Sequence, residues 1–531
     1  MGVRTVADLA ARFFPAPDDT CPTYLEDSHW EPIVDGVAYF RELAGLLDRV
    51  GRGDAVYIAG FQADPRMDLT GREPGDPEHR PFTDILAEKA VDGADVRVVL
   101  SAAEFSGGVP WLPFGPFRAN VAAARVMRAW LPTTRDAGQA PLRDRILLDW
   151  SGPAIGSNHQ KMVIFTIDGT VTAFAGGIDL SPNRWDTAPH NRLRLGPHRW
   201  GWHDAAARLH GPAAGRVWQT FRMRWENAAQ LPPRRIARHL PRNPVTLLRE
   251  GLTTVNPPDT PVEVPPIPSQ AARPGTGVAV RVLRSYRPWS VRRKGWWWDR
   301  SARLRRPAAH EVYNTLTAGI RAARRYIYVE DQYFYESLGG DRHYELYGDL
   351  RAAAARGVKV ILVGSGRRDP ADGGDSTVAP VLTGDLRRHV IDPLPARDRL
   401  NVVMYRIRDM TVHSKLMLID DVFASIGSAN FFSRSMVGTD SELTCAIVTA
   451  GDAVTNLRVT LWAEHLRTPV TDELRPHLTD LDTALGIWHD GWSSTDGAPG
   501  IWRSAGSPAG FVPSEQVLIR ARYSRRFDQL T

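Results

Sequence analysis

Residues 158–179 read NHQKMVIFTIDGTVTAFAGGID, and residues 412–430 read VHSKLMLIDDVFASIGSAN. Each stretch sets a histidine two residues before a lysine at the head of an apolar run, turns at an acidic residue and returns to a small-residue pair. Two copies of one hairpin call for two copies of the fold around it, and the flanks agree. DAVYIAGFQAD (54–64) parallels RYIYVEDQYF (325–334), and ILAEKAVDGADVRVVLSA (85–102) parallels LRAAAARGVKVILVGS (350–365). After the hairpins, ARLHGPAAGRVWQTFRMRW (207–225) parallels AIVTAGDAVTNLRVTLW (446–462). Strand, helix, strand, hairpin, strand, helix thus occurs twice in one order. Alternation of helices with apolar strands predicts an α/β fold of two similar α-β-α sandwich domains related by a pseudo-two-fold. Such a chain is a monomeric pseudo-dimer, and its natural shared site is the interface between the halves.

The Pro- and Gly-rich stretch NPPDTPVEVPPIPSQAARPGTG (256–277) reads as an extended connector. The expected organisation is a first half over 1–240, a linker over 241–278, a second half over 279–470 and a C-terminal extension over 471–531. At 531 residues the chain exceeds the size at which single cores stop growing, as two halves require. Lysine occurs only at Lys89, Lys161, Lys294, Lys359 and Lys415, the other basic residues being arginine, and two of these few fall in the repeated hairpin. A compact, titratable ammonium differs chemically from a guanidinium fork, so the pattern points to chemistry at Lys161 and Lys415. Net charge is +6, a mild basic excess that suits phosphate-bearing partners. Cys21 and Cys445 lie in opposite halves, which excludes a disulfide framework and a zinc-ligand spacing. The first twenty residues lack a signal-peptide pattern and no later run is long and apolar enough to span a bilayer. Expression in the cytoplasm is expected, with export that needs no cleaved signal as the other route.

Side chains two apart on a strand share a face, so His159 and Lys161, and likewise His413 and Lys415, are expected to project together. Asp168-Gly169 and Asp420-Asp421 supply the turns. Gly176-Gly177 and Gly427-Ser428 end the return strands, where small residues let backbone amides approach an anion. Two such copies face to face equip one pocket for phosphodiester cleavage: one imidazole attacks phosphorus, the other protonates the leaving alkoxide, and the ammonium groups stabilise the oxyanion. One histidine must be neutral and the other protonated, which asks for nearby acids; Asp204 in GWHDAAARL and Glu442 in TDSELTCAIV are the candidates. Asn430 is a neutral donor suited to a phosphoryl oxygen. Its counterpart is Asp179, a carboxylate that repels phosphate unless it is protonated or bonded to lysine.

These residues resemble the phospholipase D superfamily, whose signature is H-x-K-x4-D followed by a Gly-rich pair and Asn. HSKLMLID with GSAN matches fully, whereas in the first copy Asp168 falls two residues late and Thr166 occupies the expected position. AFAGGIDLSPNRWDT, GWHDAAARLHGP, RVLRSYRPWS, AAHEVYNTLTAGIRAARRYIYVEDQYF and SRSMVGTDSELTCAIV are similar to the eukaryotic-type branch over most of residues 50–466, with Asp331 where that branch usually has Asn. The resemblance implies the pseudo-two-fold phospholipase D fold and a two-step reaction through a phosphohistidine, resolved by water or another alcohol, with no metal or other cofactor. It implies His159 as nucleophile and His413 as general acid and then base, or the exchange of the two. Asp204 and Glu442 orient the histidines, and Lys161, Lys415 and Asn430 bind phosphate.

The expected substrate is a glycerophospholipid such as phosphatidylcholine or phosphatidylethanolamine, reached by peripheral contact with a membrane surface. Trp296, Trp297 and Trp298, set among arginines in SVRRKGWWWDRSARLRR, are candidate membrane or substrate contacts, as is GVPWLPFGPF (108–117). A nuclease of the same superfamily would use a basic groove with interleaved aromatics, and nucleic acid is the less favoured partner. A cardiolipin-synthase-like phosphatidyltransferase would normally bring membrane-spanning helices. A catalytically inactive binding module is disfavoured because both His-Lys pairs are intact.

Overall fold

The computed structural model describes residues 5–17, 22–102, 116–149, 151, 157–188, 190, 201–230, 256–257, 259–270, 277–287, 289–292, 303–306, 308–332, 334, 346–365, 386–399, 401–407, 410–431, 433–436, 438–465, 474–485 and 501–503. The first sheet is built from β1 (His29–Val34), β2 (Ala55–Gly60), β3 (Asp95–Ser101), β4 (Ile146–Asp149), β5 (Met162–Ile167), β6 (Thr170–Gly176) and β8 (Ala205–His210), with β7 (Gly201–His203) outside it. Their order is β1-β8-β6-β5-β2-β3-β4. The second sheet holds β9 (Val278–Tyr286), β12 (Ala309–His310), β13 (Tyr326–Glu330), β14 (Lys359–Ser365), β15 (Val402–Ile407), β17 (Leu416–Ile419), β18 (Phe423–Gly427), β19 (Glu442–Thr449) and β20 (Ile501–Arg503). Its order is β12-β9-β19-β18-β17-β13-β14-β15-β20, the first order repeated with one strand added at each edge. In both sheets three parallel strands adjoin the hairpin that carries the His-Lys motif. A separate hairpin pairs β10 (Trp289–Arg292) with β11 (Arg303–Arg306). β16 (Met410–Val412) stands outside the second sheet and pairs in parallel with β7 of the first half.

Every residue of β2 and of β19 is buried, which is why AVYIAG and most of ELTCAIVT read as unbroken apolar runs instead of alternating ones. The covering helices bury one stripe each: α2 (Gly36–Arg49) turns inward Tyr39, Phe40, Leu43 and Leu47. α3 (Phe82–Val91) and α4 (Pro116–Arg128) lie against β3. α5 (Pro212–Gln230) packs on the hairpin sheet of its own half and against β9 of the other. Its Phe221 stacks on Tyr57 at 4.9 Å, and Trp225 continues the stack. The second half is covered by α6 (Glu311–Ala322), α7 (Leu346–Ala355) and α8 (Ala453–His465). One apolar cluster joins Tyr57, Phe221 and Trp225 to Val280, Tyr328 and Trp462, so the halves share a core.

Three segments make contacts across the expected boundaries. α1 (Val6–Phe13) belongs with the second half, because Leu9, Ala10 and Phe13 bury against α6 and β19 and Arg12 donates to Asp420 at 3.1 Å. Residues 256–257 and 259–270 of the proline-rich stretch hold no helix or strand, yet they are tied down: Trp225 Nε1 donates to Pro261 O at 2.8 Å and Arg97 to Glu263 O at 2.7 Å. Proline-rich backbone keeps its carbonyls free, and buried arginine and tryptophan donors on the first half take them up. Part of the C-terminal extension completes the second half, Leu478, Leu481 and Ala484 entering the shared cluster and β20 pairing with β15. Trp296, Trp297, Trp298 and residues 108–115 lie outside the described residues.

Candidate active site

Each motif is anchored by the strand beside it. Asn158 N donates to Ser101 Oγ at 3.1 Å and Val412 N to Ser365 Oγ at 2.9 Å, the two serines ending the equivalent strands β3 and β14. The next backbone amide crosses to the other half: His159 N donates to Ser441 O at 2.9 Å, and His413 N to His203 O at 2.8 Å. Those carbonyls immediately precede Glu442 and Asp204. The acid of one half therefore meets the histidine of the other, with His159 Nδ1 3.0 Å from Glu442 Oε2 and His413 Nδ1 2.6 Å from Asp204 Oδ2. Neither half contains a complete dyad.

The motif residues lie just ahead of β5 and β17 and not within them, and each lysine folds back on its histidine. Lys161 Nζ donates to His159 O at 2.9 Å and Lys415 Nζ to His413 O. Both lysines are only 3% exposed. Asp179 Oδ1 accepts from Gln62 N at 3.0 Å and its Oδ2 lies 3.5 Å from Lys161 Nζ, so its carboxylate faces a cation. Asn430 is 6% exposed, with its Oδ1 buried and without a hydrogen-bond partner. Asp331 Oδ2 accepts from Phe431 N at 2.7 Å, which fixes the chain beside Asn430.

The small-residue pairs do something other than the sequence reading expects. Gly177 N and Ser428 N already donate to Ala205 O and Leu443 O, both at 2.9 Å, so they are not offered to an anion. A Cβ on Gly177 would lie 2.1 Å from Asp204 Oδ1, and one on Gly427 2.5 Å from Thr444 Cα. The glycines make room for the acid-bearing strands. Ser428 and Ser435 hydroxyls donate to Glu442 at 2.5 and 2.6 Å. Asp168 (φ 49°) and Gly169 (φ 74°) form an exposed turn at the far end of the first hairpin. In the second, Asp420 accepts from the backbone amides of Arg324, Arg325 and Tyr326. Asp168 N donates to Asp54 Oδ1 at 3.1 Å, so in the first turn it is the backbone of the turn acid that is tied.

Electrostatics follow from burial. Burial, then the Lys415 ammonium, hold the His413 imidazole well below its ordinary value against the pull of Asp204. Burial lowers Lys415 to about 8 and lowers Lys161 as well, while neighbouring carboxylates oppose both shifts. Burial disfavours ionised Asp204, but His413 and Lys415 outweigh it and bring the carboxyl down to about 2.

Several residues escaped the sequence reading. Phe61 sets its ring edge-on to His159 at 5.0 Å and beneath Lys161 at 5.0 Å. Trp202 packs on His413 at 4.9 Å, and the Arg184 guanidinium lies 3.7 Å from the Trp202 ring centre. Behind the second dyad, Asp35, His190, His203 and Glu464 bring two carboxylates and two imidazoles within 4.8 Å of one another, a donor set of the kind that takes a divalent cation. GWHD and NRWDT stand inside stretches singled out for other residues, so the only available signal was their chemistry.

Residues 316–462 match a family model described as cardiolipin synthase, PLD-like domain. Over 87% of its length the chain is 25% identical to phospholipase D alpha 4 of Arabidopsis thaliana, and over 83% it is 22% identical to phospholipase D alpha 2 of Oryza sativa subsp. japonica. These matches support the phospholipase D superfamily. The chain spans 66% and 64% of the length of those two plant proteins. The fold is also similar to the crystal structure of phosphatidylserine synthase from Haemophilus influenzae Rd KW20, with a TM-score of 0.53 and 12% identity over 94% of each chain. Among the described residues no helix is long and apolar enough to cross a membrane.

Proposed function

We propose that the protein is a phospholipase D-type phosphodiesterase that converts glycerophospholipids such as phosphatidylcholine or phosphatidylethanolamine to phosphatidic acid, or transfers the phosphatidyl group to an alcohol. The observation that carries this reading is the pair of imidazole–carboxylate dyads, each assembled across the halves, with two buried lysines beside them. In the first step His159 Nε2 attacks phosphorus while Glu442 holds Nδ1, the P–N bond forms, and the P–O bond to the headgroup breaks. His413 gives its proton to the departing alkoxide. In the second step His413 takes a proton from water or an alcohol whose oxygen attacks phosphorus, and the P–N bond breaks. Lys161, Lys415 and the amide of Asn430 bind the non-bridging oxygens. Burial and Lys415 favour a neutral His413 in the free enzyme, and a bound phosphodiester anion offsets Lys415 and lets it hold the proton. The net charge of +6 suits peripheral contact with an anionic lipid surface from the cytoplasmic side.

The test is incubation with mixed phospholipid vesicles and a short primary alcohol, with phosphatidyl-alcohol read by mass spectrometry. Formation by wild type and loss in both His159→Ala and His413→Ala is the expected result, each variant falling by at least about 10³-fold. Intact lipid would remove the lipid assignment, and the same variants on single-stranded nucleic acid would then test the nuclease reading. The histidine that carries phosphate after an alkaline denaturing quench identifies the nucleophile.

A further inference from the structure

Glu330, the last residue of β13, touches neither histidine of the dyads and is fully buried. Its Oε2 accepts from Ser414 Oγ at 2.6 Å and lies 2.9 Å from His203 Nε2. Its Oε1 accepts from Tyr328 OH at 2.6 Å and lies 2.8 Å from His465 Nε2. Ser414 follows His413, and His203 precedes Asp204. One carboxylate oxygen thus grips both chain segments that carry the second dyad, at the place where His413 N already bonds to His203 O. A buried carboxylate is costly unless its lone pairs are filled, and here each oxygen has two partners. Burial opposes its ionisation, yet His203 and His465 hold the carboxyl well below its ordinary value.

Among the described residues the first dyad is fastened differently: Asp440 Oδ1, on the segment that bears Glu442, accepts from Ser157 N and Oγ at 2.8 Å, and no third segment bridges the two. Glu330 stands opposite Leu416 in its sheet, and the residue opposite the equivalent Met162 is Ala59. Gln160, the counterpart of Ser414, donates instead to the backbone carbonyl of Glu442 at 3.0 Å. Glu442 is steadied directly by two serine hydroxyls, whereas Asp204 depends on the segment that bears it. The two-fold is broken at the side whose histidine moves a proton in both steps.

We propose that Glu330 is a positioning residue of the His413–Asp204 dyad, fastening through Ser414 and His203 the two segments that hold its partners 2.6 Å apart. The role of the dyad in turnover rests on the phosphodiesterase reading above; the clamp itself does not. Two readouts separate them: kcat and KM on phosphatidylcholine vesicles, and the far-downfield proton resonance of the His413 Nδ1–Asp204 hydrogen bond recorded without substrate. His413→Ala identifies that resonance by removing it. Glu330→Gln is expected to shift or abolish the resonance and to lower kcat about 10- to 100-fold while KM changes little. Ser414→Ala, which removes one of the four bonds, should show a smaller loss of the same kind, and the double variant should be no worse than Glu330→Gln alone. A wild-type resonance together with wild-type kcat in Glu330→Gln would overturn the proposal, as would losses that multiply in the double variant. If wild type turns over no phospholipid, the functional reading fails and the resonance alone decides the clamp. If Glu330→Gln does not fold, Ser414→Ala decides it by the same readouts.

Discussion

At the scale of single residues, the site is a set of cations kept out of water. Arg184 adds a third basic side chain beside the two lysines, and its charge lowers both His413 and Lys161. Removing a positive neighbour raises the pKa of a protonatable imidazole, so Arg184→Ala should move the His413-controlled limb of the kcat/KM pH profile to higher pH. A profile that keeps its limbs in Arg184→Ala would show that the guanidinium acts only by packing on Trp202. The same logic explains why the motif lysines are lysines. A chain that otherwise uses arginine keeps a slim ammonium where the side chain must thread back to the carbonyl two residues earlier.

At the scale of elements, the hairpins are held from both ends. In the second hairpin Asp420 ties the far end to neighbouring backbone, in the first Asp168 N donates to Asp54 Oδ1, and glycines at the near ends admit the strands that bring Asp204 and Glu442. Gly427→Ala forces its new methyl against Thr444 backbone, and a destabilisation of about 1–3 kcal/mol is expected by denaturant titration. Gly45→Ala, in α2 with open space around it, is the matched control and should stabilise by about 0.5–1 kcal/mol. Equal effects of the two substitutions would refute the packing account of the hairpin glycines.

At the scale of the molecule, the halves are not independent bodies. α1 from the start of the chain packs on the second half, and one apolar cluster contains strands and helices of both. Calorimetry should accordingly give a single cooperative transition, with two resolved transitions arguing against the shared core. A buried charge network behind the second dyad links the halves as well. Burial opposes protonation of His190, but Asp186, Glu464 and Asp35 raise it to about 9. Its contribution to stability is therefore fully present below the unfolded value near 6.5 and is lost as pH rises through about 9. The thermal midpoint of wild type should exceed that of His190→Gln most below about pH 6.5, and the gap should close above about pH 9; a pH-independent gap would assign His190 a packing role alone.

The sequence by itself determined the duplication, the α/β class, the two His-Lys pairs and the two acids, because each is written in local spacing: a run, a turn and a motif recur in one order. It could not determine which acid serves which histidine, since that exchange is set by β7 pairing with β16 and by Ser441 pairing with Asn158, contacts between residues more than 200 positions apart. Nor could it reveal Glu330 as the tie between Ser414 and His203, or turn the glycine pairs from anion cradles into clearance for neighbouring strands. Those roles depend on what lies across the interface, and only the packing of one half against the other brings those partners within hydrogen-bond distance.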